Sequence, residues 1–201
     1  MNVRLLIPIK FTAGVYYNDQ LRMNNYTTQL FMLTNSVDGE SHNIAVERAR
    51  VFIQTQLDSS VFINRANQDQ CCKLADAGIK VVTLPEEPVD QIVGMMLYCK
   101  LNAIMEERMD LVEIEISSDL GENVMYLHSE AEQLGPFDDN GWWHDADLIY
   151  YDKEIVELDN VMPLNRAAVW RELGLNWPEA EENKQTGNTI VFADFSRDET
   201  R

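Results

Sequence analysis

The segment from Pro85 to Arg108, PEEPVDQIVGMMLYCKLNAIMEER, constrains the fold more than any other stretch of the chain. Pro88 and the acidic Glu86, Glu87 and Asp90 mark a helix start, because proline suits the first turn and carboxylates suit the positive end of the helix dipole. Beyond that start the residues are apolar nearly all round, which predicts a helix buried on two sides. A helix of that kind needs a packed layer on each flank.

The neighbouring sequence supplies one layer. Upstream, HNIAVERARVFIQTQL places Ala45, Ala49, Phe52, Ile53 and Leu57 on one helical face, with Ser41 as a natural N-cap. SSVFINR, NQDQCCKLADAG and IKVVTL then read as strand, short helix closed by Gly78, and strand, a β-α-β unit. Downstream, DLVEIEISS and VMYLHS alternate about the turn residues DLGEN, the pattern of a β-hairpin. At the amino end, VRLLIPIKF and YTTQLFMLT are two strands joined by a loop containing Asn18, Asp19, Asn24 and Asn25, paired as a long-looped hairpin or as parallel neighbours. The fold class is therefore α/β, α+β at its C-terminal side: a mixed sheet with a β-α-β core, a long buried helix and an antiparallel hairpin edge.

Past Gly135 the texture changes. PFDDNGWWHDADLIYYDKE leads into DADLIYYD and EIVELDN as two further strands, PLNRAAVWRELG as a helix with Pro163 at its start and Gly174 at its end, and TIVFADF as a final strand. The expected division is a core domain over 1–134 and an acidic aromatic extension over 135–201, packed on the same core, with the boundary between Leu134 and Asn140. A chain of 201 residues buries a core without metal or disulfide. Its three cysteines, Cys71, Cys72 and Cys99, form no C-x-x-C motif, which points to a reducing compartment. MNVRLLIPIKF is too short for a secretory or membrane segment and reads as the opening strand of a cytoplasmic protein.

Charge is the main functional clue. Between Glu106 and Asp159 seventeen Asp or Glu face only Arg108 and Lys153, so this stretch carries −15 of the total −18. A field of that sign repels phosphate backbones and attracts basic partners, which excludes direct nucleic-acid binding without bridging metal ions. Neither G-x-G-x-x-G, G-x-x-x-x-G-K-[ST] nor a G-x-S-x-G elbow occurs, so the common nucleotide-dependent and serine-nucleophile chemistries have no foothold and no cofactor is expected.

Two sets of residues merit attention as sites. In the acidic extension, Trp142, Trp143, Tyr150 and Tyr151 stand beside Asp138, Asp139, Asp145 and Asp147. On a strand, one member of each aromatic pair faces outward, where indoles and phenols among carboxylates recognise cationic groups; otherwise the tryptophans cover a core edge. The other set is Asp38, Glu40, His42, Glu86 and Glu87, on loops beyond strand ends, where carboxylates and an imidazole are donors for a divalent metal. No spacing among them matches a ligand motif, and turn, cap and dipole roles are the ordinary account of them. His128 and His144, with Glu113, Glu115, Glu130 or Asp145, form a further candidate carboxylate-histidine group, against which His128 reads as a half-buried structural residue.

The run from Thr83 to Glu130, followed by GPFDDNGWWHD, resembles small acidic proteins of tailed bacteriophages. That resemblance implies a viral accessory protein acting in the host cytoplasm and brings no catalytic residue with it. Three functions follow as expectations. The first is a binding protein that engages a basic host protein, such as a nucleic-acid-mimicking inhibitor of a nucleic-acid or defence enzyme. The second is a metal-dependent hydrolase or transferase, and the third a homo-oligomeric virion or assembly component.

Overall fold

The structure, a computed structural model, describes residues 3–34, 39–137, 141–148 and 168–178. β1 (Arg4–Tyr17) and β2 (Gln20–Thr34) form an antiparallel hairpin paired from Tyr17 opposite Gln20 to Arg4 opposite Leu33. The expected long loop is replaced by a two-residue turn. Asn18 and Asp19 both adopt left-handed conformations (φ 50° and 57°), the geometry whose twist matches that of the flanking strands. Asn24 and Asn25 are strand residues, and the buried Asn24 accepts the Leu120 N–H at 3.0 Å.

β3 (Val61–Asn64) pairs parallel with β1, and β4 (Val81–Leu84) parallel with β3. On the other side β5 (Met109–Ser118) pairs antiparallel with β2, and β6 (Tyr126–Ser129) antiparallel with β5. The result is a mixed six-stranded sheet of order β4-β3-β1-β2-β5-β6. Parallel pairing at one edge and antiparallel pairing at the other is the α/β arrangement read from the residue patterns.

α1 (Gly39–Phe52) runs into a π-helical turn, Ile53–Leu57, closed by the Asp58 N–H on Ile53 O at 2.9 Å. Ala45, Ala49, Phe52, Ile53 and Leu57 are all buried, as their spacing requires. Ser41 is not the N-cap: the helix begins at Gly39, and Ser41 is fully buried within it. α2 (Gln68–Asp76) ends before Gly78, whose φ of +76° is the left-handed stop glycine supplies readily. It packs on the opposite face from α1, where Cys71 and Leu74 meet Val61 and Ile63, while Phe62 between them enters the main core. β3 is thus buried on both faces, which explains its uninterrupted apolar sequence.

α3 (Asp90–Met105) is the all-round apolar helix, and it is flanked as expected. Gly94 lies against β5 and β6, where a Cβ would stand 2.9 Å from Ile116 and 3.0 Å from Tyr126. Asn102 holds both backbone groups of Leu111, at 3.1 and 2.9 Å, beside the bulge that shifts the β2–β5 register at Phe31 and Met32. Among the described residues of the extension are a 3-10 turn, Trp142–His144, and α4 (Ala168–Glu172) followed by Gly174 at φ +68°. Residues 145–148 form no strand, which corrects the reading of that stretch; the remainder of the expected DADLIYYD strand, together with EIVELDN and TIVFADF, lies outside the described residues. Phe137, Trp142, Trp143, Leu148, Trp170 and Trp177 join the same buried cluster as α1 and α3. Among the described residues no helix is long and apolar enough to cross a membrane.

Candidate functional site

Trp142 and Trp143 are both buried, so neither is an exposed anchor. The reason is local: in a 3-10 turn adjacent side chains do not alternate between opposite faces as they do on a strand. Trp142 donates its indole N–H to Thr83 O at 3.1 Å, and Trp143 meets Phe137 edge-to-face at 4.9 Å. Gly141 packs so tightly on the Trp143 ring that no side chain fits there. The turn and the residues after it are pinned by Lys100 on α3, which is 1% exposed. Its ammonium donates to the carbonyls of Trp142 (3.4 Å), Asp145 (2.5 Å) and Asp147 (2.9 Å) and lies 5.7 Å from the Phe52 and Trp142 ring centroids. Asp145 and Asp147 therefore engage the core through their backbones.

The second described part of the extension is held by Arg48 on α1. Its guanidinium donates to Leu175 O at 2.9 Å, Ile104 O at 3.2 Å and the Glu106 carboxylate at 2.7 Å, and lies 3.8 Å from the Trp177 ring centroid and 4.7 Å from that of Trp170. Burial lowers its pKa and Glu106 opposes that shift. Lys100 and Arg48 were invisible as anchors in the sequence, since a cation in an amphipathic or apolar helix ordinarily reads as a solvated residue.

Among the described carboxylates, Asp110, Glu113 and Glu115 share the outer face of β5. Glu113 stands opposite Phe31 and Ser129, Glu115 opposite Gln29 and Leu127, and Asp110 opposite Leu33. Among the described residues no helix covers these positions, and Leu127 is 41% exposed. The Asp110 carboxyl is pushed above the usual carboxylate range by burial and then by the charges of Glu130 and Glu107. Glu130 and Asp110 also add to the burial that raises the Tyr98 hydroxyl. Asp110, Glu107 and Glu130 thus lie within electrostatic reach of one another at this side of the sheet.

His128 faces inward and is 1% exposed rather than half-buried. Its Nδ1 lies 3.3 Å from the Glu132 carboxylate and 3.4 Å from the Tyr126 hydroxyl, and the ring meets Tyr98 edge-on at 4.7 Å. Burial lowers its pKa, and Glu132, a residue the sequence reading did not single out, opposes the shift. His144 is exposed and stands in no cluster with it.

Among the described residues no group of three or more His, Cys, Asp or Glu could hold a metal ion, so Glu40, His42, Glu86 and Glu87 do not converge as ligands. Glu40 occupies the first turn of α1, and Glu87 accepts the Asn64 amide at 3.1 Å. Asp38 lies outside the described residues, as do Asp138, Asp139, Tyr150 and Tyr151. The cysteines form no disulfide, and burial pushes the Cys99 thiol up to about 12, an inert state at neutral pH.

No protein-family model and no curated protein sequence matches the chain. Among solved structures it is similar to an uncharacterized protein from Wolinella succinogenes at 10% identity and TM-score 0.49, over 65% of this chain and 99% of that one. It is also similar to 6-pyruvoyl tetrahydropterin synthase from Plasmodium vivax at 12% identity and TM-score 0.41, over 64% of this chain and 97% of that one. The Plasmodium falciparum enzyme of the same name gives 12% identity and TM-score 0.40, over 63% and 96%.

Proposed function

We propose that the protein is an accessory binding protein that engages a basic protein surface through the carboxylate-bearing edge of its sheet. The observation that supports this is the crowding of Asp110, Glu107 and Glu130 beside Glu113 and Glu115 on β5. Neighbouring carboxylates attract a cationic partner, and a rigid strand spaces them as a repeating array. Phe31 and Leu127 beside them supply apolar contact. The resemblance to acidic bacteriophage proteins makes the partner a host protein whose basic surface ordinarily meets nucleic acid, and the action inhibition by charge mimicry.

The test is capture from bacterial lysate by the wild-type chain and by a Glu113→Gln, Glu115→Gln double variant, each at low and high salt. The reading requires a partner retained at low salt and lost both at high salt and with the variant, because an electrostatic contact is screened within a Debye length. A partner set indifferent to both changes, or no partner at all, would overturn it.

A further inference from the structure

A cavity of about 580 Å³ opens where the tip of the β1–β2 hairpin, the first turn of α3 and the turn after β5 meet. It is distinct from the acidic edge. Asp110 and Ser118 mark the two ends of β5, roughly 27 Å apart at the strand rise, and the cavity lies at the Ser118 end. A volume of this size accommodates a small organic molecule.

The walls define the chemistry of the occupant. Val15, Val89, Leu120 and Val124 provide apolar surface, and Tyr17 and Tyr126 provide rings. Tyr17, Val89, Leu120 and Val124 are also among the exposed large hydrophobic residues, so apolar surface that folding did not bury collects at this opening. Among the described lining residues Asp90 is the one carboxylate and Arg22 the one cation, and Arg22 is already engaged by the Gln20 side-chain oxygen.

Asp90 is incompletely satisfied. Its Oδ1 accepts the Ser118 hydroxyl at 2.6 Å, while Oδ2 is buried and has no hydrogen-bond partner. Only glycine fits over that oxygen, since a Cβ at Gly121 would collide with it. Glu122 and Asn123, both left-handed (φ 54° and 58°), bend the turn that holds Gly121 in this place. Burial raises the Asp90 pKa, and hydrogen bonding from the Ser118 side chain and backbone opposes that shift.

We propose that this cavity binds a small organic cation, with an ammonium or amidinium head held by Asp90 and an apolar body against Val15, Val89, Val124 and the Tyr126 ring. The chain's net charge of −18 favours cations and opposes anions at the mouth. The tyrosine faces add attraction for a cation that an isosteric anion lacks. Binding places a positive charge beside the one carboxylate among the described lining residues.

Benzamidine, with benzoate as its anionic counterpart, tests the proposal by calorimetric titration and thermal shift on the whole chain. Wild type is expected to bind benzamidine saturably with a raised melting temperature, and benzoate not at all. Asp90→Asn keeps an oxygen for the Ser118 hydroxyl but removes the charge, and should weaken benzamidine by roughly thirtyfold or more, the loss expected when a desolvated charge pair loses one member. Val124→Arg, at a side chain 68% exposed, leaves the core intact and should repel the probe from the mouth, which keeps the test decisive if the Asp90 variant fails to fold. Absence of saturable benzamidine binding, equal binding of benzoate, or wild-type affinity in Val124→Arg would each overturn the assignment.

Discussion

Arg48 and Lys100 are buried cations on adjacent helices, and each ties part of the C-terminal extension to the core by a different construction. Arg48 gathers its partners from separate places: a carbonyl and a carboxylate at the end of α3, a carbonyl after α4, and two indole faces. Lys100 takes three carbonyls from one short run, Trp142 to Asp147. The planar guanidinium with its fork of donors can bridge elements, whereas the compact ammonium suits a single loop folded around it. Arg48 thus joins elements, and Lys100 fixes the path of one segment.

The largest expected effect tests the joining role. Arg48→Ala leaves two carbonyls without this donor and removes the packing of the guanidinium on Trp170 and Trp177, and should cost about 3–5 kcal/mol in urea denaturation, with Arg48→Lys recovering only part. Lys100→Met keeps the volume but leaves the carbonyls without their donor, a loss of about 2–4 kcal/mol. Its signature is local: hydrogen exchange should rise over 141–148 while β1 and β2 stay protected. If Lys100→Met instead loosens the whole sheet as Arg48→Ala does, the distinction between the two anchors collapses.

His128 provides the uncharged contrast. Its folded pKa is depressed below 6.5 by burial, so the unfolded chain takes up the proton first as pH falls. The stability due to the neutral ring is complete above 6.5 and is lost as pH drops from there toward the folded value. Urea midpoints measured across that interval should decline for wild type and flatten for His128→Gln. The smallest effect belongs to Glu106→Gln, under about 1 kcal/mol, because the Glu106 side chain is 42% exposed and solvent screens its pairing with Arg48.

Periodicity revealed most of the fold. The two-sided burial of α3, the inward face of α1 and the β5–β6 hairpin all rest on apolar spacing, which packing simply enforces. The reading failed where one local choice carried the outcome. Asn18 and Asp19 looked like generic loop residues, and only their left-handed conformations show a two-residue turn between strands. Trp142 and Trp143 carried two readings, alternating strand residues or cover for a core edge, and their burial in a 3-10 turn beside Gly141 bears out the second. The acidic character was legible as composition, though the placement of Asp110, Glu113 and Glu115 on one face of β5 depended on strand register. The Asp90 cavity had no sequence signature, because its walls come from the hairpin tip, α3 and the turn after β5, which lie far apart along the chain.

The tight turn at Asn18 and Asp19 also bears on how the chain folds. Because β1 and β2 pair outward from Tyr17 and Gln20, the longest strand pairing among the described residues needs only a minimal loop to begin, and hairpins of this kind form in about 1–10 μs. β3 must close a much longer loop to lay Val61 beside Gly14, and β5 a longer one still to reach β2. The hairpin is therefore the natural template, exposing one edge for the parallel strands and the other for the acidic hairpin. Slowing the turn should slow folding while leaving the unfolding rate nearly unchanged.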